Sequence, residues 1–364
     1  AGVPVPPLVT ALRAKLPEDA AHWLHWGATT QDVMDCALVL RLREALVLLS
    51  ERLERMIPML TDLAEAHVDT PMAGRTRTQI ATPISFGLRA AYWLQGLLEV
   101  HEALRTLKAG CTKVQFGGAS GANSAVAPHG ALIGEALARE LDLEAVPPWH
   151  TNRRLVPDTV GWCATASATA ARIAGDVLIL ARREVAELRL VGGGGSSTMP
   201  NKANPVSTEV VVAVARYAAT LTVPGTLSMQ HLEDRDSTAW MLEWLALPQA
   251  LICAGSALRN LGATLANMTP DPQAMARNLS LDGGATLAEA ASFALARHMP
   301  RADAQAMVKT AATRSRVTGQ ALVDVLSEET GIPEFAEQVQ LMARHGSGQE
   351  IVKQIVSSAR LLRD

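Results

Sequence analysis

The sequence predicts an all-α protein built around helices too long for one small domain, and three observations carry that expectation. Apolar residues recur at helical spacing over long stretches, the interior is supplied by Leu, Ala and Val, and strand signals are scarce, with no regular alternation to mark a sheet. Seven tryptophans outnumber four phenylalanines and two tyrosines, so the usual core aromatics have given way to aliphatic side chains.

The first long element is expected over 33–68, where Leu38, Leu42, Leu46, Leu49, Leu53, Met56, Leu60 and Leu63 trace one helical face. At ~1.5 Å per residue it spans roughly 50 Å. Further helices are expected over 83–109, 156–191, 205–222 and 238–266. After Thr269-Pro270-Asp271 the periodic stretches shorten to 271–279, 285–298, 301–314, 318–329 and 347–362. This divides the chain into a long-helix bundle domain, 33–268, and a small C-terminal helical domain, 269–364.

Thirty-three basic residues against 36 acidic ones leave a net charge of −3, with no global field to draw in a polyanion. A dedicated nucleic-acid binder is therefore not expected, and any bound anion must be recognised locally. The four cysteines, Cys36, Cys111, Cys163 and Cys253, show neither C-x-x-C nor metal-ligand spacing, which points to reduced thiols in a cytoplasmic protein. With no charged n-region and no unbroken run of 18 apolar residues, neither a signal peptide nor a membrane span is expected.

Four polar, glycine-rich segments interrupt the helices: H-W-G-A-T-T-Q-D (25–32), G-R-T-R-T-Q-I-A-T-P (74–83), Q-F-G-G-A-S-G-A-N (115–123) and G-G-G-G-S-S-T-M-P-N-K-A-N-P (192–205). Three run towards a helix start. Thr29 stands three before Asp32, as in a capping box, and Thr82-Pro83 and Asn204-Pro205 place proline at the first helical position. Such N-termini offer N–H groups and positive dipole to an anion. The fourth segment is the most specific. Its glycines suit a lid, Ser196 and Ser197 supply hydroxyls and Lys202 a cation, while both the P-loop and the strand-flanked G-x-G-x-x-G spacings are absent.

The run Gly195-Ser196-Ser197-Thr198-Met199-Pro200-Asn201-Lys202-Ala203-Asn204-Pro205 closely resembles the G-S-S-x-M-P-x-K-x-N-P signature of the fumarase/aspartase superfamily. Segments 25–32 and 74–83 resemble its first and second conserved regions, in order, and the resemblance covers nearly the whole chain. It implies mostly helical, three-domain subunits whose long central helices assemble as a homotetramer, with active sites where three subunits meet. It implies addition or elimination beside a carboxylate of a small polycarboxylate through an aci-carboxylate intermediate, without cofactor or metal. Ser196 matches the serine that moves the proton at carbon, with Ser197 as the alternative. A neutral serine is a weak base, so lid closure and oriented oxyanion donors are needed. Lys202, Asn204, Thr29 and Thr30 match carboxylate-holding positions, and Ser120 with its surrounding glycines is expected to add donors. His25 matches a histidine that supplies or orients a proton, or else serves as a structural cap.

Two departures select within the superfamily. Its lyases usually carry T-H-x-Q in the second region, whereas this chain has Thr76-Arg77-Thr78-Gln79. Arginine cannot shuttle protons at neutral pH but grips a carboxylate in two places, suiting Arg77, with Thr78 and Gln79, to a substrate rich in negative charge. In H-L-E-D-R-D-S-T-A-W-M-L-E-W-L-A-L-P (231–248), E-D-R-D resembles adenylosuccinate lyase, while the tryptophan-rich remainder resembles the muconate-lactonizing branch. Trp240 and Trp244 share a helical face, and with Trp23 and Trp26 they are candidates to wall a substrate pocket. Arg235 either binds a carboxylate or pairs with Glu233, Asp234 or Asp236. The resemblance thus implies a lactone-forming cycloisomerase in aromatic catabolism, in which Ser196 donates the proton as general acid. Alternatives are an adenylosuccinate- or argininosuccinate-lyase-like elimination and a catalytically silent helical scaffold. Only 24 residues precede His25, so either the sequence is a fragment or its first domain is cut back, and 1–32 is expected to be a remnant or shortened N-terminal domain carrying the first loop.

Overall fold

The computed structural model describes residues 3–192, 194–195, 203–281, 283–344 and 346–362. Helices dominate. In chain order they and the strands are α1 (Val5–Arg13), α2 (Glu18–Trp23), α3 (Thr30–Ala66), β1 (Pro71–Thr76), β2 (Gln79–Ser85), α4 (Phe86–Gly110), α5 (Gly130–Leu141), α6 (Leu155–Leu180), β3 (Leu188–Leu190), β4 (Gly194–Gly195), β5 (Ala203–Asn204), α7 (Val206–Thr220), α8 (Thr222–Leu227), α9 (Ser237–Ala266), β6 (Met268–Pro270), α10 (Pro272–Leu279), α11 (Ala288–Leu295), α12 (Arg301–Thr318), α13 (Leu322–Thr330), α14 (Phe335–Arg344) and α15 (Gly348–Leu361). The long elements fall where apolar periodicity places them. The stretch expected to run on to 191 stops at Leu180, and α1, α2, α5, nearly all of α8 and α14 sit in segments without a prior expectation.

The chain forms two compact units, one of Ala1–Glu54, Glu99–Arg172 and Val210–Leu261, the other of Arg55–Leu98, Ile173–Glu209 and Gly262–Asp364. The division falls inside α3, α4, α6, α7 and α9. In the first unit Leu42, Leu46, Leu49 and Leu53 of α3 are buried, as the i, i+4, i+7, i+11 spacing requires, together with Val156, Val160 and Cys163 of α6 and Ala246, Ala250, Ala254 and Ala257 of α9. Alanine at these positions lets helix backbones approach closely. The second unit buries Trp93, whose indole N–H donates to Asp176 at 2.7 Å, and a separate cluster from Ala291 to Val339 in which Phe335, Leu322, Leu326 and Leu295 exclude water.

Three expectations are corrected. Strands do form: β1 and β2 make an antiparallel hairpin, and β3–β6 and β4–β5 two further ribbons. Ile80, Thr82 and Ile84 give β2 its β-branched alternation, and Gly74 lies at a register shift where a Cβ would come within 2.6 Å of the Thr82 carbonyl oxygen. Pro83 therefore lies in β2 opposite Ala73, not at a helix start; α4 begins three residues later, with the Ser85 hydroxyl accepting the Leu88 N–H at 3.0 Å. At Asn204-Pro205 the helix begins one residue later than expected, at Val206, while Asn204 pairs with Gly194. Finally, Leu155–Leu180, Val206–Leu227 and Ser237–Ala266 are long and apolar enough to cross a membrane by length and composition alone. Asp158, Glu209, Glu243 and Gln249, together with scattered Thr, Ser and Gly, leave no unbroken run of 18 apolar residues in them.

Candidate active site

The first unit gathers the first and third glycine-rich loops with the segments 148–153 and 231–243. At the start of α3, Asp32 reaches back so that its Oδ2 accepts the Thr29 N–H at 2.9 Å, the carboxylate half of the expected capping box. Three further donors fill the same carboxylate: Gly118 N–H on Oδ2 at 3.0 Å, Gly117 N–H on Oδ1 at 3.0 Å, and His150 Nε2 on Oδ1 at 2.8 Å. Burial alone would raise this carboxyl, but the His150 ring and the three backbone N–H groups hold it below its ordinary value. The Gly117 and Gly118 amides are thereby committed to Asp32. They are not the oxyanion donors expected of the third loop.

A second network lies behind the first. Arg153, fully buried, donates through Nη1 and Nη2 to Asp35 at 2.7 and 2.9 Å and through Nε and Nη2 to Glu243 at 2.7 and 2.6 Å. Gln115 adds its amide to Asp35 at 3.1 Å, and the guanidinium lies 4.8 Å from the centre of the Trp149 ring. Burial pushes the Glu243 carboxyl up, against the pull of Arg153 and with the help of Asp35; burial and the Arg153 charge push His231 down. One arginine thus ties the starts of α3, α6 and α9 together.

Arg235, with left-handed backbone at φ 62°, takes none of the three expected ion pairs among the described residues. Its Nη1 donates to the Ala119 carbonyl at 3.0 Å, tying 231–236 to the third loop, while its Nε is buried without a partner among the described residues. Asp236 caps α9 instead, accepting the Thr238 and Ala239 N–H groups and that of Leu232. Those backbone donors, Leu232 first, hold its carboxyl below the ordinary value. Ser120 is exposed at the 3₁₀ turn Gly118–Ser120, His25 and Thr30 are half-buried, and Thr29 is buried. Trp240 and Trp244 meet with ring centres 4.8 Å apart and ring planes tilted by 59°, as residues four apart on one helical face can, and Trp23 and Trp26 cluster with His22 in the open. Trp93, Trp149 and Trp162 pack in the interior.

The second unit holds the second region. Arg77 and Thr78 form the two-residue tip of the β1–β2 hairpin, both exposed and both at positive φ, 48° and 70°, with Gln79 pairing back to Thr76. Asn-Gly is the usual choice for such a turn, and a β-branched residue there is strained. Strain retained at an exposed tip is a signature of function. The hairpin is anchored two residues away, where Arg75 makes a two-pronged ion pair with buried Glu187 at 2.6 and 2.9 Å, itself bonded by Asn278 at 2.8 Å. Asn204 is half-buried on β5, and Ser196, Ser197 and Lys202 lie outside the described residues.

Asp35, His150 and Arg153 carry no motif of their own, and Gln115 and Glu243, though inside the segments 115–123 and 231–248, are not among the expected site residues. The available signal was local: Glu243 is the one carboxylate in a long apolar helix, and His150 and Arg153 follow Pro147-Pro148-Trp149, settings where a polar group must find a buried partner. Among the described residues no cluster has metal-binding composition.

Residues 9–219 match the lyase family. The chain is 38% identical to a 3-carboxy-cis,cis-muconate cycloisomerase of Pseudomonas aeruginosa, covering 90% of this chain and 72% of that one. It is 36% identical to a nitrosuccinate lyase of Streptomyces davaonensis over 88% and 70% of the two chains. Its fold matches the crystal structure of the 3-carboxy-cis,cis-muconate lactonizing enzyme of Pseudomonas putida with a TM-score of 0.90 and 31% identity, covering 98% of this chain and 82% of that one.

Proposed function

The chain belongs to the lyase family, within the fumarase/aspartase superfamily, and on that premise we propose that it converts 3-carboxy-cis,cis-muconate into 4-carboxymuconolactone in the catabolism of aromatic acids such as protocatechuate. The observation that carries this reading is that several relatives at 30–38% identity over most of the chain are 3-carboxy-cis,cis-muconate cycloisomerases, and a solved fold matching with a TM-score of 0.90 is a 3-carboxy-cis,cis-muconate lactonizing enzyme. In the reaction one carboxylate oxygen of the substrate forms a C–O bond to a double bond conjugated with a second carboxylate. The displaced electron pair runs into that carboxylate as an aci-carboxylate, and the neighbouring carbon then takes a proton. Ser196 is the general acid, with Ser197 and His25 as the other candidates. Arg77, Lys202, Asn204, Thr29, Thr30 and Arg235 hold carboxylates, with Thr78, Gln79, Ser120 and Trp240 beside them. Arginine in place of the usual second-region histidine supports ring closure over elimination, because it adds a carboxylate grip and takes away a proton shuttle.

The working unit is a cytoplasmic homotetramer whose sites draw loops from several subunits. Met241, Leu245 and Ile252, exposed at 50%, 61% and 70% along one side of α9, support that assembly, as does the allotment of the first and third loops to one compact unit and the second to the other. The test is to follow loss of diene absorbance on adding 3-carboxy-cis,cis-muconate, with adenylosuccinate, argininosuccinate and nitrosuccinate in parallel. Diene loss is expected. An unchanged diene alongside turnover of any of the other three would overturn the reading.

A further inference from the structure

We propose that His150 is a positioning residue for the third loop, 115–123, and through it for the groups that loop presents; the inference rests on the reading of that loop as part of the substrate site. Residues 149 and 150 bridge both loops. The Trp149 N–H donates to Gln115 Oε1 at 2.9 Å and its indole N–H to the Val114 carbonyl at 2.9 Å, gripping the entry to the third loop. The His150 carbonyl accepts Gln31 Nε2 at 3.0 Å from the first loop. Its ring, 4% exposed, donates from Nε2 to Asp32 Oδ1.

The ring is also the floor of the third loop. A Cβ on Gly117 would stand 2.7 Å from His150 Cε1, and one on Gly121 would stand 3.9 Å from Nδ1. Gly117 and Gly121, on both sides of the turn that carries Ser120, thus face the His150 ring and, beside it, Pro148. Asp32 meets that loop only through backbone amides, so its own orientation decides where the loop sits. His150 is the one side chain among the described residues that hydrogen-bonds the Asp32 carboxylate. From Ala119, inside the same turn, the chain of contacts passes to Arg235. A shift of the ring therefore moves Ser120 and the Arg235 guanidinium together, and neither touches His150 directly.

Glutamine and asparagine separate this role from simple packing. Glutamine carries its amide nitrogen out to about the reach of Nε2, whereas asparagine stops near the position of Nδ1. In the full chain, His150→Asn is expected to lower kcat/KM for ring closure about 10²-fold, the scale of a displacement near 1 Å, with both a lower kcat and a higher KM, because Arg235 grips a carboxylate of the bound substrate. His150→Gln is expected to recover most of that loss. Amide hydrogen exchange at Gly117 and Gly118, read by mass spectrometry, should accelerate in His150→Asn and stay near wild type in His150→Gln. Equal kcat/KM and equal loop exchange in the two variants would overturn the proposal, and so would exchange rising alike throughout the unit, which marks a general packing role. If the wild-type protein leaves the muconate unchanged, the functional reading fails while the exchange contrast still decides the positioning.

Discussion

Replacing Asp32 by asparagine removes little volume and leaves the shape of the site intact, yet it is expected to loosen the junction of the first and third loops severely. Four donors converge on the two carboxylate oxygens, two on each. An asparagine offers one accepting oxygen, and its amide nitrogen must then face two N–H groups that lose their acceptor. Hydrogen bonds to a charged group contribute about 1.5–3 kcal/mol each, so losing two removes about 3–6 kcal/mol of local stability. At 3% exposure little water is available to substitute. Because the chain has two compact units, local opening is a better readout than a melting temperature. At about 1.4 kcal/mol per tenfold, exchange of the Thr29, Gly117 and Gly118 amides should accelerate about 10²- to 10⁴-fold. A change below tenfold at all three would refute the reasoning. The pH dependence carries its own sign. The folded-state value of Asp32 lies below the unfolded one, so its stabilisation is complete above the unfolded carboxylate range, near pH 4, and is lost as pH falls through the lower folded value. Protection of these amides should hold at pH 5 and collapse only in stronger acid.

Arg153→Met should cost about 3–5 kcal/mol by leaving Asp35 and Glu243 buried without their cation, and Arg153→Lys should restore little, since an ammonium cannot serve two carboxylates as a fork; denaturant titration of both variants decides it. Glu187→Gln should free the hairpin anchor, seen as faster proteolytic cleavage near Arg77-Thr78 and a raised KM with the rest of the second unit folded. Converting Arg77-Thr78 to Asn-Gly should relieve the left-handed strain and stabilise the hairpin by about 1 kcal/mol or more while raising KM at least tenfold through loss of the arginine. Ser196→Ala should abolish ring closure without altering assembly, as followed by diene absorbance and sedimentation; retained turnover would shift the proton to Ser197 or His25.

The loops were legible for unequal reasons. The capping relation between Thr29 and Asp32 depends on a spacing of three residues, and its carboxylate half is present in the structure. The proline at 83 misleads because proline also suits a two-stranded ribbon, where a missing N–H faces outward, and the β-branched alternation of 80, 82 and 84 is too short to stand out beside long helical patterns. Gly117 and Gly118 look like anion donors in sequence, since nothing local announces that a carboxylate from the first loop has already taken their N–H groups.

The long helices, the apolar face of α3 and the pairing of Trp240 with Trp244 follow from the chain alone, because each depends on residues a few positions apart. Tertiary structure alone assigned the Asp32–His150 pair, separated by 118 residues, and the grip of Arg153 on Asp35 and Glu243, 118 and 90 residues away. No periodicity spans such separations. They are set by which helix ends the folded interior brings together, and the demand that every buried charge find a partner then selects the residues.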